Sequence, residues 1–244
     1  MANKPLNTDL LDRAIIFAVK AHSGTERRGK GYPYIVHPLE AVEIVATMTK
    51  DQELLAAAAL HDTVEDTDVT VDLIREEFGD RVACLVAEET DSLPLSDFKA
   101  QSAEGGISRR AESKEQCDDR KAPAGSTAEA ACPSGQLRSS GGMEEERATG
   151  TWHARKRAAI DRLSKASRDA KMVALGDKLS NMRAIARDYA TLGEPFWTLF
   201  RVKEKAVHAW RYHALLDAFA ELRDTYAYRE FEFLVNRVFP REKD

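Results

Sequence analysis

The stretch Leu54-Leu-Ala-Ala-Ala-Ala-Leu-His-Asp-Thr-Val-Glu-Asp66 decides how this chain is read. Leu54 to Leu60 form an apolar run with helix-favouring residues at every position, too apolar all round to lie on a surface. The helix they predict is therefore a buried one. It delivers an imidazole and a carboxylate, His61 and Asp62, side by side, followed one turn later by Glu65 and Asp66. At about 100° per residue, positions i and i+4 share a helix face, which would put Glu65 above His61 and Asp66 above Asp62. Three carboxylates at the end of a buried helix repel one another unless a cation or a substrate answers them. That cost points to a metal site.

Helical periodicity continues on both sides. Leu11, Ile15, Ala18, Val19 and His22 recur at helix spacing after an Asn7/Thr8 cap, and Pro38 occupies the first turn of a helix whose apolar stripe runs from Leu39 to Met48. Between them lies a loop, Ser23 to Tyr34, that mixes Gly24, Gly29, Gly31 and Pro33 with Arg27, Arg28 and Lys30. A short helix from Thr70 to Phe78 ends at Gly79, and Asp80 is read as the cap of the next, which runs through Thr90. In the C-terminal part the pattern predicts helices over 152–167, from Arg168 through Ile185, near 196–216 and near 222–238, with Trp197, Phe200, Trp210, Tyr212 and Phe219 as core. No run sustains an alternation of period two, so the fold class is all-α, a compact multi-helix bundle.

From Gln101 to Gly150 the pattern collapses. The large apolar residues there are Ile107, Leu137 and Met143, and seven of the chain's 13 glycines fall in the same stretch. Such a segment cannot bury enough apolar surface to offset its ordering entropy. Residues 95–150 are thus expected to be a low-complexity flexible insertion in a single domain made of 1–94 and 151–244. Cys117 and Cys132 lie in the insertion without a CxxC spacing or nearby histidines, which argues against a zinc site there.

Composition narrows the function classes. The 244-residue chain has 32% charged and 43% hydrophobic residues, an ordinary balance for a soluble globular protein. Its formal net charge of −5 argues against a dedicated nucleic-acid binder. Three cysteines fit a reducing cytoplasm better than a disulfide framework. Neither a signal-type N-terminus nor a membrane-spanning run is present, and oligomeric state is left open.

A divalent ion needs more ligands than His61 and Asp62. The candidates are His37, held just before the proline that opens a helix, and Asp177, a carboxylate amid the apolar stripe Leu175-Gly-Asp-Lys-Leu-Ser-Asn181. Two imidazoles and two carboxylates suit a borderline-to-hard transition ion such as Mn²⁺, Fe²⁺ or Zn²⁺. Glu65 or Asp66 could then orient a water activated by the ion or take its proton. Each residue alone has a bland alternative: a satisfied structural histidine at 37, an exposed ion pair of Asp177 with Lys178 or Arg183, a solvated basic loop for Arg27, Arg28 and Lys30.

The order His37, His61-Asp62, Asp177 resembles the ligand pattern of the HD phosphohydrolase superfamily. The segments 21–28 (Ala-His-Ser-Gly-Thr-Glu-Arg-Arg), 33–38 (Pro-Tyr-Ile-Val-His-Pro), 61–67 (His-Asp-Thr-Val-Glu-Asp-Thr) and 176–183 (Gly-Asp-Lys-Leu-Ser-Asn-Met-Arg) are similar to the hydrolase domain of the RelA/SpoT alarmone enzymes. Without a synthetase domain, the chain is similar to the stand-alone small alarmone hydrolases. The resemblance implies an HD-domain fold, one Mn²⁺ held by His37, His61, Asp62 and Asp177, and removal of the 3′-pyrophosphate from ppGpp or pppGpp to give GDP or GTP. It implies that Glu65 and Asp66 activate the attacking water, and that Arg27 and Arg28 meet purine and phosphate. Asn181 would contact ribose or phosphate, with Lys178 nearby. His22 belongs to the same motif. Two other readings keep the residues and change the role: an NADPH 2′-phosphatase or other nucleotide phosphohydrolase, and a non-catalytic nucleotide-sensing module. Three departures from the pattern stand out, the largest being the 95–150 segment, far longer than the connection expected there. The first loop is one residue longer than usual, and Gly176 replaces a frequent alanine, which leaves space for close helix packing.

Overall fold

The computed structural model describes residues 8–27, 29–90 and 141–241, with backbone only for 141–151. Arg28 and nearly all of the expected 95–150 insertion lie outside the described residues. Ten α-helices are described: α1 (Asp9–Ala21), α2 (Val36–Ala46), α3 (Gln52–Leu60), α4 (Thr63–Asp66), α5 (Val71–Phe78), α6 (Asp80–Glu89), α7 (Gly141–Lys165), α8 (Arg168–Leu192), α9 (Lys205–Ala218) and α10 (Tyr226–Val238). Among the described residues the only extended pairing is an isolated antiparallel bridge, Glu26 to Pro33, so the fold is all-α as its periodicity predicts.

The apolar run is the centre of the bundle. Every residue from Leu54 to Leu60 is buried, with α3 packed against α1, α2, α6 and α8. Alanines at 56 to 59 let four neighbouring helices approach one short helix without large side chains between them. Its start is fixed by Asp51, whose carboxylate accepts the Glu53 amide at 3.0 Å. The C-terminal core is aromatic: Phe196, Trp197, Tyr212 and Phe219 are buried and Trp210 is partly so, in line with the packing role expected for them.

Helix α8 carries the other half of the future site, and its seat on α2 is unusually close. A Cβ on Gly176 would stand 2.7 Å from Val45 Cγ2 and 3.0 Å from the Ala41 carbonyl oxygen. The glycine therefore allows backbone-to-backbone contact, the close packing its presence suggested. His37, Ala41 and Val45 follow one another at i, i+4 and i+8 on α2. The same face that receives Gly176 therefore aims His37 at Asp177.

Several boundaries differ from the periodicity reading. The helix expected to begin at Trp152 begins at Gly141. Gly79, with φ of 92°, is the N-cap of α6, and Asp80 is its first helical residue with no side-chain cap bond. The helix expected near 196–216 is split into a 3₁₀ turn, Glu194–Leu199, and α9, because Gly193 at φ 64° stops α8 and Pro195 restarts the chain. A second 3₁₀ turn, Ala220–Leu222, takes the place of the first turn expected near 222–238. Apolar spacing alone cannot see such breaks, because the buried residues on both sides still recur at helical intervals.

Candidate metal centre

Helix α3 ends at Leu60, so the reading of one continuous helix through Asp66 requires correction. His61 and Asp62 form a one-step link with αR backbone before the single turn of α4. One i,i+4 relation survives, since the Asp66 amide donates to the Asp62 carbonyl at 2.9 Å. The burial argument is corrected too. His61 is 2% exposed and Asp62 is half-buried, but Glu65 and Asp66 are exposed to solvent. The crowding of carboxylates is real elsewhere, between Asp62 and the buried Asp177.

His37, His61, Asp62 and Asp177 converge. One ligand atom from each of His37, His61 and Asp177 lies within 4.8 Å of the others. His61 Nε2 is 2.9 Å from Asp62 Oδ2 and 3.7 Å from Asp177 Oδ1. His37 Nε2 is 3.3 Å from the same Asp62 oxygen and 3.1 Å from the same Asp177 oxygen. The two Nε2 atoms are 3.3 Å apart.

The far sides of both rings are occupied, which fixes what faces inward. His61 Nδ1 lies 2.9 Å from the Ala58 carbonyl, which can only accept, so Nδ1 carries hydrogen. His37 Nδ1 lies 2.7 Å from Ser180 Oγ, whose own proton goes to Glu40 Oε2 at 2.7 Å, so Nδ1 again donates. Both Nε2 atoms are thereby turned to the centre as the metal-binding nitrogens. Two such nitrogens with two carboxylate oxygens form a donor set that fits a divalent transition ion.

Electrostatics agree with that geometry. Burial opposes a charged His61, yet the Asp62 and Asp177 carboxylates outweigh it and push the imidazole up to about 9. Burial likewise opposes charge on Asp62 and Asp177, but both stay well below the usual carboxylate range. Asp62 is held there by His61 and His37, and Asp177 by Lys178 and both imidazoles.

Around this core lie the remaining candidates. Arg27 donates from Nη2 to Asn181 Oδ1 at 2.7 Å, and Asn181 in turn hydrogen-bonds the Asp177 carboxylate. Its guanidinium lies 5.3 Å from the centre of the Tyr34 ring. Lys178 turns to the Asp177 and Glu89 carboxylates. Burial opposes its charge, but these two anions hold the ammonium above its ordinary range. Lys30 pairs with Asp188, which ties the first loop to α8. His22 is buried against Tyr34, with ring centres 4.9 Å apart and both ring nitrogens without a hydrogen-bond partner. Burial lowers its pKa and keeps it neutral.

Sequence reasoning missed Tyr34, whose hydroxyl donates to Asp62 Oδ2 at 2.7 Å, together with Ser180, Glu40 and Glu89. Tyr34 precedes His37 by three residues but stands in the turn before α2 begins, so helical spacing gives no signal for it. Glu89 has no local signal at all, because it is brought in by α6.

Residues 14–121 match the family model described as the HD domain. Proteins similar to this chain include a guanosine-3′,5′-bis(diphosphate) 3′-pyrophosphohydrolase of Aquifex aeolicus, 40% identical over 43% of this chain and 15% of the relative. One of the same name from Vibrio cholerae is 41% identical over 39% of this chain and 14% of the relative. A probable GTP pyrophosphokinase of Mycobacterium leprae is 46% identical over 33% of this chain and 10% of the relative. The chain therefore spans a small part of the curated relatives it matches. A solved metazoan ortholog of SpoT, described as hydrolysing ppGpp, shares the fold. Its TM-score is 0.56 at 20% identity, with 97% of each chain covered.

Proposed function

We propose that this chain is a Mn²⁺-dependent 3′-pyrophosphohydrolase of guanosine alarmones, converting ppGpp or pppGpp and water to GDP or GTP and pyrophosphate. The observation that carries the proposal is the convergence of His37, His61, Asp62 and Asp177, with exposed carboxylates one turn away at Glu65 and Asp66. The substrate rests on relatives named for this hydrolysis. Cytoplasmic location belongs to the same reading. It rests on the few cysteines, and no described helix is long and apolar enough to cross a membrane.

A divalent cation held by His37, His61, Asp62 and Asp177 would supply Lewis acidity and make the attacking water more acidic. The chain's own residues do the rest. Glu65 and Asp66, on the exposed turn after Asp62, receive the proton of the attacking water. The attack forms a P–O bond at the 3′-linked phosphorus and breaks the bond to the ribose 3′-oxygen, which takes a proton as it leaves the pyrophosphate. Arg27 offers a guanidinium for phosphate or for stacking on the purine face, pre-set by Asn181 and Tyr34. Arg28 is proposed to share that task. Asn181 adds an amide near the ribose. Lys178 acts less by touching substrate than by neutralising Asp177.

Metal content of the purified protein, followed by product analysis with ppGpp and added Mn²⁺, tests the proposal. GDP and pyrophosphate in equal amounts are expected. A metal-loaded sample that releases neither refutes the assignment, and faster release of phosphate from NADPH would redirect it to a 2′-phosphatase.

A further inference from the structure

We propose that Ser180, Glu40 and Arg183 form a relay that sets the tautomer and ring orientation of His37, and through them the affinity of the centre for a divalent cation. The inference rests on the metal reading above.

The relay is a directed chain of protons. Ser180 is 2% exposed, and its single hydroxyl proton is committed to Glu40 Oε2 at 2.7 Å. That commitment leaves the serine oxygen as an acceptor for His37 Nδ1–H at 2.7 Å. Arg183 Nη1 lies 3.2 Å from Glu40 Oε1, while Arg183 Nε and Nη2 are anchored on the Glu230 carboxylate at 2.7 and 2.8 Å. Turning the serine proton to His37 instead would leave the serine oxygen facing the Glu40 carboxylate, acceptor against acceptor, which costs more than the bond is worth.

Sequence spacing explains how the parts meet. His37 and Glu40 stand three apart on α2, and Ser180 and Arg183 stand three apart on α8, so each pair shares a helix face. The close approach at Gly176 brings the two faces into register. The other imidazole is oriented differently: His61 Nδ1 donates to a backbone carbonyl, which no side-chain substitution removes. Among the described residues, Ser180 is therefore the side-chain control on the orientation of the ligand imidazoles.

A competing account treats the same residues as a structural clasp joining α2, α8 and α10. Glu230 separates the two, since it anchors Arg183 but touches neither Ser180 nor His37. Full-length Ser180→Ala, Glu40→Gln and Glu230→Gln proteins would be titrated with Mn²⁺ by electron paramagnetic resonance. The histidine tautomers would be read from ¹⁵N chemical shifts of the metal-free proteins. Expected is a loss of Mn²⁺ affinity of roughly 10–100-fold for Ser180→Ala and a smaller loss for Glu40→Gln. His37 should lose its preference for hydrogen at Nδ1 in both, and Glu230→Gln should bind Mn²⁺ as the parent does. The relay is overturned if both variants bind within about twofold of the parent with His37 unchanged, or if Glu230→Gln weakens binding equally. Should Ser180→Ala fail to fold by circular dichroism, Glu40→Gln decides. A parent protein that takes up no Mn²⁺ refutes the metal reading and the affinity claim with it, while the tautomer of His37 still judges the positioning claim.

Discussion

The two ends of the stretch from His61 to Asp66 share a sequence motif but not an environment. His61 and Asp62 are held by residues of α2, α3 and α8 and by Tyr34, and both His61 nitrogens and Asp62 Oδ2 have partners that limit what they can do. Glu65 and Asp66 are exposed on a single helical turn. The first pair suits a task that needs fixed geometry and a low dielectric, such as holding an ion. The second suits a task that needs exchange of protons with solvent. Burial, more than residue type, separates a ligand carboxylate from a base carboxylate here.

The contrast can be broken most severely at the buried end. His61→Ala should abolish Mn²⁺ uptake and leave hydrolysis undetectable, as measured by metal analysis beside product assay. At the exposed end, Glu65→Gln or Asp66→Asn should lower kcat by roughly 10²–10⁴-fold while leaving Mn²⁺ affinity unchanged. If either substitution instead releases the metal, the division of roles is wrong. Arg27→Ala, at the rim, should raise KM by about tenfold with little loss of kcat, the worth of one charge-assisted contact.

Smaller effects test how the buried end is built. In Gly176→Ala the added methyl meets Val45 and the Ala41 carbonyl, so overpacking of about 1–3 kcal/mol should exceed the ~1 kcal/mol of helix propensity gained. A melting temperature lower by a few degrees is expected, with weaker Mn²⁺ binding as α2 shifts from α8. Equal or higher stability would mean that Val45 can turn aside. The pH response follows from His61. Its pKa in the folded metal-free protein, about 9, exceeds the ordinary value near 6.5. The stability it contributes is full below about 6.5 and is lost as pH rises through 9. Urea titrations of metal-free protein across that window should show the decline, and the His61→Ala protein should lack it.

Much of the candidate site was legible because it depends on local chemistry. The run Leu54 to Leu60 could only be a buried helix, and four residues able to ligate one ion stood in short ordered motifs. The i,i+4 argument holds for the backbone of Asp62 and Asp66 and was wrong about the burial of Glu65 and Asp66. Periodicity reports which face a residue takes, but not where a helix emerges from the core. Lys178 and Lys30 read as substrate-facing or solvated cations. Their partners, Glu89 and Asp188, come from α6 and from the far end of α8.

The sequence by itself determined the all-helical class, the residue types able to hold a cation, and the glycine that lets α2 and α8 touch. Those properties follow from side-chain chemistry and short-range spacing, which the chain carries whatever its fold. Tertiary structure alone decided that His37 and His61 point their Nε2 atoms at one place and that Ser180 and Glu40 stand behind His37. It also decided that Asp62 is held by Tyr34. Such facts depend on helix contacts between residues up to 143 positions apart, where an ångström of separation decides whether a hydrogen bond exists.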